Sequence, residues 1–277
     1  MNTLLTVVLI LASISLYAFI QKPNFDTFVY HPEQDISNTP EDYGYKYKED
    51  FVNTKDGEKI YYWKIFPNKK TKATIIQAHG NAHNMSSHFT LMFWFLEQGY
   101  EVIAFDYRGY GKSTGSPSRS GVVDDTVAII NMTCQSSPKP VFAIGQSLGG
   151  AVLVPALDKL SPSCVDRVII EGSFSSYQSI VKEIFSFFSL GSFLSLLISD
   201  KMSPRLFMKK QKPPALFLHT ESDEVVPYSE GKKFFSLYNS KQKKFITLTR
   251  SRHLGALPPK PTLAQELLKF LQGDNQK

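Results

Sequence analysis

The stretch Val141-Phe142-Ala143-Ile144-Gly145-Gln146-Ser147-Leu148-Gly149-Gly150 sets a serine between two glycines at the end of a short apolar run. A serine hydroxyl is a weak nucleophile until a base takes its proton, and the base needs an acid to orient it. The apolar run has the shape of a buried strand, and Ala151-Val152-Leu153-Val154 can open a helix. In a strand–turn–helix of this kind the serine stands clear of the sheet, with glycines where a Cβ would clash. The helix that follows turns its N-terminal amides toward developing negative charge. Gly-x-Ser-x-Gly also arises by accident, so this context carries the reading. The alternative is an ordinary Gly-rich turn with a capping serine.

For such a turn the chain order should be serine, then Asp or Glu, then histidine. Asp223, in Glu221-Ser222-Asp223-Glu224-Val225-Val226-Pro227, follows an apolar run at 216–219. His253, in Arg252-His253-Leu254-Gly255, follows another at 245–249. Both positions read as loops at strand ends, so both side chains can converge on Ser147. No other Asp and His downstream of Ser147 share that placement. Glu221 and Glu224 are the alternative acids, and a plain surface histidine is the alternative for His253. Two backbone N–H groups must also meet the charge that develops on a reacting carbonyl. Leu148 offers one. The loop His79-Gly80-Asn81-Ala82 offers the other at Asn81, with Gly80 letting the backbone approach a substrate. A metal held by His79, His83 and His88 is disfavoured, because no nearby carboxylate or cysteine completes a ligand set.

The elements that must position these residues alternate along the chain. Strands at 45–52 and 59–66, joined by the turn Lys55-Asp56-Gly57-Glu58, read as a hairpin. A buried strand at 73–78 comes next, then a helix at 86–98 and a strand at 101–105. The loop at 106–115, containing Asp106 and Arg108, leads to a helix at 122–134. The strand at 140–144 carries the serine turn, followed by a helix to about residue 160 and a strand at 165–171. The runs at 216–219 and 245–249 are two further strands, and 262–271 a closing helix. Two antiparallel strands followed by repeated β-α units predict a mostly parallel sheet with helices on both faces. Ligands of such sheets bind at the carboxyl ends of the strands, where each of the candidate residues falls.

Residues 4–20 form a nearly unbroken apolar run, at the lower edge of what spans a bilayer. No basic residue precedes it and Tyr17-Ala18-Phe19-Ile20 makes a poor cleavage site, so an uncleaved anchor at 1–21 fits better than a removed signal. The side of the membrane is not readable, because Lys22 is the one strong flanking charge. A cleaved segment would instead make the chain secreted or periplasmic. Residues 22–44 read as a linker or an extended lead-in, and 45–277 as the main domain. Within it an apolar segment at 180–198, broken by Gly191, suggests a small cap at about 173–212, either lining an acyl pocket or packing on the core. The net charge of +6 comes from scattered lysine pairs, which gives no support to a nucleic-acid partner. Cys134 and Cys164 lie in no paired motif and read as free packing residues. Oligomeric state is not readable.

Taken together, His79-Gly80-Asn81-Ala82, the segment from Phe105 to Ser113, Gly145-Gln146-Ser147-Leu148-Gly149, the segment from Asp223 to Pro227, and His253 resemble the α/β-hydrolase superfamily. Within it the chain is most similar to membrane-anchored members with small caps: lysophospholipid and acylglycerol lipases and depalmitoylases. The resemblance implies an α/β-hydrolase fold with catalytic Ser147, Asp223 and His253. It also implies site-shaping roles for His79, Gly80, Gly145, Gln146, Gly149, Asp106 and Arg108, the last structural rather than catalytic. Its activity would be hydrolysis of esters or thioesters of a small-molecule or lipid acyl substrate, with no metal or organic cofactor. A peptidase on the same fold and a non-catalytic tethered binding module are the alternatives.

Overall fold

The computed structural model describes residues 26–160, 164–184, 198–249 and 251–273. The expected anchor at 1–21 and most of the apolar cap segment lie outside the described residues. Among the described residues, no helix is long and apolar enough to cross a membrane.

Eight strands form one sheet: β1 (Tyr47–Asn53), β2 (Lys59–Ile65), β3 (Ala73–Ala78), β4 (Tyr100–Phe105), β5 (Val141–Gln146), β6 (Arg167–Glu171), β7 (Ala215–Thr220) and β8 (Lys243–Leu248). Their order is β8-β7-β6-β5-β3-β4-β2-β1. The β1–β2 and β2–β4 pairings are antiparallel and the rest parallel. The central strands β3, β4, β5 and β7 are buried along their whole length. That is why they read as mostly apolar runs, whereas β1 and β8, at the sheet edges, carry exposed lysines.

Helices α1 (Phe93–Glu97), α2 (Arg119–Ser136), α3 (Leu148–Lys159), α4 (Tyr177–Ile184), α5 (Tyr228–Leu237) and α6 (Pro261–Gln272) complete the layers. One apolar cluster packs α2 and α3 on one face of the sheet; a second packs α1 and α6 on the other. The expected helix at 86–98 is broken into Met85–His88, a 3-10 turn at Phe89–Met92, and α1. The tighter turn lets Phe89, Met92, Phe95 and Leu96 all reach the core. Helix α5 carries no clear apolar stripe in sequence. Its Gly231 is required by packing, since a Cβ there would lie 2.0 Å from His219 Nδ1.

Two expectations are corrected. Cys134 and Cys164 are not free but joined in a disulfide, with Cα atoms 5.8 Å apart. The bond ties the end of α2 to the approach to β6, a pairing set by packing between residues 30 apart in sequence. The stretch at 22–44, where it is described, packs on the domain as a lead-in and not as a linker. Tyr30 is buried in the core, Asp26 pairs with Arg119 at 2.7 Å, and His31 pairs in register with Ala82. Isolated apolar anchors such as Tyr30, together with backbone and polar contacts, hold this segment, so no hydrophobic period announces it.

Arg108 anchors the loop after β4. Its guanidinium bonds Asp125 on α2 at 2.8 Å and Asp56 of the hairpin turn at 2.8 Å. Asp125 is fully buried. Burial works against the arginine's charge, but the two carboxylates outweigh it and raise its pKa. Arg108→Met strands a buried carboxylate, an error that costs about 3–5 kcal/mol. The expected result is a clearly lower denaturation midpoint, measured by urea unfolding followed by circular dichroism.

Candidate active site

Ser147 follows β5 directly and precedes α3, with φ 52° and ψ −118°. A non-glycine residue in that region is strained by about 1–3 kcal/mol, and such strain is kept where it places a reactive group. The turn is held by close backbone approach. A Cβ on Gly149 would lie 1.9 Å from the Ala78 carbonyl oxygen, so only glycine lets α3 begin against β3. Gly145 is equally confined, by Gly150. Leu148 is the first residue of α3, where backbone N–H groups lack intrahelical acceptors.

Asp223 and His253 meet as the sequence order predicts. His253 Nδ1 lies 3.0 Å from Asp223 Oδ1 and 2.8 Å from Oδ2. The Val225 and Val226 amides also donate to Oδ1, at 2.9 and 2.8 Å. A second histidine, His219, places Nε2 3.4 Å from Oδ2 while donating to the Val226 carbonyl at 2.9 Å. Burial disfavours the Asp223 carboxylate, yet its bonds to His219, His253 and Val226 outweigh burial and hold its pKa well below the usual range. Glu221 is exposed on the same loop, and Glu224 meets His253 through the backbone N–H at 3.3 Å, not the ring.

Ser147 and His253 flank the carboxyl end of β6. The Ser147 N–H donates to the Glu171 carbonyl at 2.9 Å, and the next residue, Gly172, lies against the His253 ring. His253 Nε2, the nitrogen turned away from Asp223, is buried and has no hydrogen-bond partner among the described residues.

The His79–Ala82 loop approaches from β3, with Gly80 packed near the Ser147 Cβ and the His88 ring. It is braced from several sides. Tyr107 Oη donates to the His79 carbonyl at 3.0 Å, and Tyr110 Oη donates to the Asn81 carbonyl at 2.8 Å. The Asn81 side chain bonds the Val29 carbonyl and accepts from His31 N at 3.3 Å, so the N-terminal segment is part of this brace. Buried Asp106 accepts from Met85 N at 2.7 Å, fixing the start of the following turn. His79 stacks on His88, whose pKa burial and the neighbouring His79 push down to about 4. Arg108 lies in its ion-pair cluster, with Gly121 packed against it.

Sequence reasoning missed Glu171 and His219. Glu171 closes the buried run Val168-Ile169-Ile170, and His219 is buried within β7; each is a polar side chain in a largely apolar strand. Gln146, one of the two unspecified positions of Gly-x-Ser-x-Gly, is fully buried between Gln77 and Glu171, bonded to each at 2.9 Å.

The sheet order and the serine turn after its fifth strand define an α/β hydrolase. A family model described as "Serine aminopeptidase, S33" matches residues 69–214, a span that includes Ser147 and ends before Asp223 and His253. The chain belongs to that serine aminopeptidase S33 family. It is 33% identical to protein YfhR of Escherichia coli K12 over 237 residues, which cover 83% of this chain and 80% of YfhR. It is 30% identical over 177 residues to the lysophosphatidylserine lipase ABHD12 of Xenopus tropicalis, covering 59% of this chain and 46% of that one. Among solved structures, the Pyrococcus furiosus esterase Pf2001 shares the fold with a TM-score of 0.71 and 22% identity, over 88% of this chain and 97% of the esterase.

Proposed function

We propose that the chain is a serine hydrolase that cleaves carboxylic ester or thioester bonds of an acylated lipid through an acyl-enzyme. The observation that supports this most is the Asp223–His253 pair beside a strained serine at the end of the sheet. In this reading Ser147 Oγ attacks the substrate carbonyl and His253 Nε2, the nitrogen turned away from Asp223, takes its proton. Asp223 fixes the imidazole tautomer and stabilises the imidazolium. The N–H groups of Leu148 and Asn81 receive the negative charge on the carbonyl oxygen. His253 then returns its proton to the leaving group, and water, deprotonated by the same nitrogen, releases the acyl chain. None of these steps needs a metal.

The lipid part of the proposal is supported by the apolar run at 4–20, read as a bilayer anchor, and by the apolar cap segment at 180–198. The lipase name of one relative points the same way. The family description favours a second reading, removal of amino-terminal residues from peptides. Parallel assays on acyl p-nitrophenyl esters, lysolipids, acyl-thioester peptides and aminoacyl-nitroanilides decide between them. The expected result is turnover of the acyl substrates, blocked by a fluorophosphonate probe that labels Ser147. Turnover confined to the nitroanilides would overturn the ester assignment.

A further inference from the structure

Glu171 ends β6 with its side chain 1% exposed, in the layer between the serine turn and the histidine loop. Its carbonyl oxygen accepts from Ser147 N at 2.9 Å. Carboxylate Oε2 accepts from Gln146 Nε2 and Oε1 from Ala256 N, each at 2.9 Å. One residue therefore grips the serine turn twice, and with its remaining oxygen holds the loop three residues beyond His253. Behind Gln146 the chain continues: Gln77 Nε2 donates to Gln146 Oε1 and to the His88 carbonyl, both at 2.9 Å.

The direction of these bonds matters. Gln77 donates to Gln146, Gln146 donates to Glu171, and Ala256 donates to Glu171 from the opposite side. Both carboxylate oxygens therefore face N–H donors, an arrangement that suits the ionised form. Burial raises the Glu171 pKa above the usual carboxylate value; the Gln146 and Ala256 bonds and the nearby His253 offset part of that rise, to which Asp223 adds.

We propose that Glu171 is a positioning residue, a buried carboxylate that clamps the nucleophile turn to the histidine loop and adds a second negative charge behind His253. This rests on the reading of Ser147, Asp223 and His253 as the catalytic groups. When His253 takes the serine proton, the imidazolium gains from a fixed anion already desolvated by the fold. The clamp also fixes the approach of two loops that share no other side-chain bridge among the contacts described above. A misplacement of about 1 Å at such a junction lowers turnover by about 100-fold.

The test uses three variants. Glu171→Gln must turn an NH2 against either the Gln146 NH2 or the Ala256 N–H, so it breaks one arm of the clamp and removes the charge. Gln146→Glu sets two carboxylates face to face. The exchange variant Gln146→Glu with Glu171→Gln restores every bond: the new carboxylate accepts from Gln77 and from the new amide, whose oxygen accepts from Ala256. The expected result is a kcat about 100-fold lower in each single variant with KM within about 3-fold. The exchange variant should recover kcat to within about 10-fold of the parent. The acid limb of kcat/KM in Glu171→Gln should move to lower pH, because an imidazole that loses a neighbouring anion deprotonates more easily.

A Glu171→Gln kcat within about 3-fold of the parent overturns the proposal, as does a loss that the exchange variant does not recover. Fluorophosphonate labelling of the parent at Ser147 is the control for the underlying reading. Labelling at Ser147 alongside an unimpaired Glu171→Gln would sink the clamp alone. A parent that is not labelled at Ser147 would remove the catalytic reading, and the clamp with it.

Discussion

Ser147→Ala is expected to lower kcat on an ester substrate by about 10⁴- to 10⁶-fold, with KM and folding nearly unchanged. The magnitude follows from the way the groups of the proposed triad act as a unit: without its nucleophile, its base and acid have nothing to activate. What remains is the oxyanion site and binding, worth about 10³- to 10⁴-fold over water. The geometry makes the substitution clean. At φ 52° alanine carries the same backbone strain as serine, so the variant removes the hydroxyl and little else. Ser147→Gly should be equally inactive yet more stable, by up to the strain of about 1–3 kcal/mol that glycine escapes. Kinetics and thermal unfolding of the two variants, run side by side, separate the lost chemistry from the relieved backbone. A Ser147→Ala enzyme that keeps a tenth of its activity would mean that another residue attacks.

Asp223→Asn is expected to cost about 10⁴-fold in kcat with the fold intact. The hydrogen bonds fix how the asparagine must sit. Oδ1 accepts from Val225 N and Val226 N, so the amide oxygen takes that place. The NH2 then falls at the Oδ2 position, 2.8 Å from His253 Nδ1. A donor there requires Nδ1 to accept, which leaves the proton on Nε2, the nitrogen needed as the base. The histidine is present, but in the wrong tautomer. The parent pH profile should show no Asp223 limb in the working range, since this carboxylate is ionised well below ordinary acid pKa values. The depressed pKa has a stability consequence too. Its contribution is fully present above the unfolded aspartate value of about 4 and fades as pH falls toward the folded value.

Ser147, Asp223 and His253, the residues proposed as nucleophile, acid and base, could be picked out in the sequence because each follows a strand that is buried throughout or at a fixed place in the order. Gly145 and Gly149 mark the turn, and the runs before Asp223 and His253 mark strand ends. Sequence gave no warning of Glu171's partners, because Gln146 lies 25 residues away and Ala256 85. The bracing of Asn81 was hidden for a related reason. Val29 and His31 reach it largely through backbone atoms, which carry no residue signature. The helix at 86–98 was misjudged because a run of aromatic residues is helical by period whether or not its middle turn tightens. Cys134 and Cys164 are two residues of one type with no motif, and their proximity is decided by the packing of α2 against the approach to β6.

That cystine bears on where the protein lives. Disulfides persist in oxidising compartments and are rare where cytosolic reductants keep thiols free. A chain carrying a Cys134–Cys164 bond is expected to hold its hydrolase domain outside the cytosol. Closing a loop of this length restricts the unfolded chain by about 3–4 kcal/mol. Protein made in a secretory or periplasmic route should resist alkylation until reduced and should melt higher than the Cys134→Ser, Cys164→Ser variant. Thiols freely alkylated in the native protein from its own cells would place the domain on the reducing side instead.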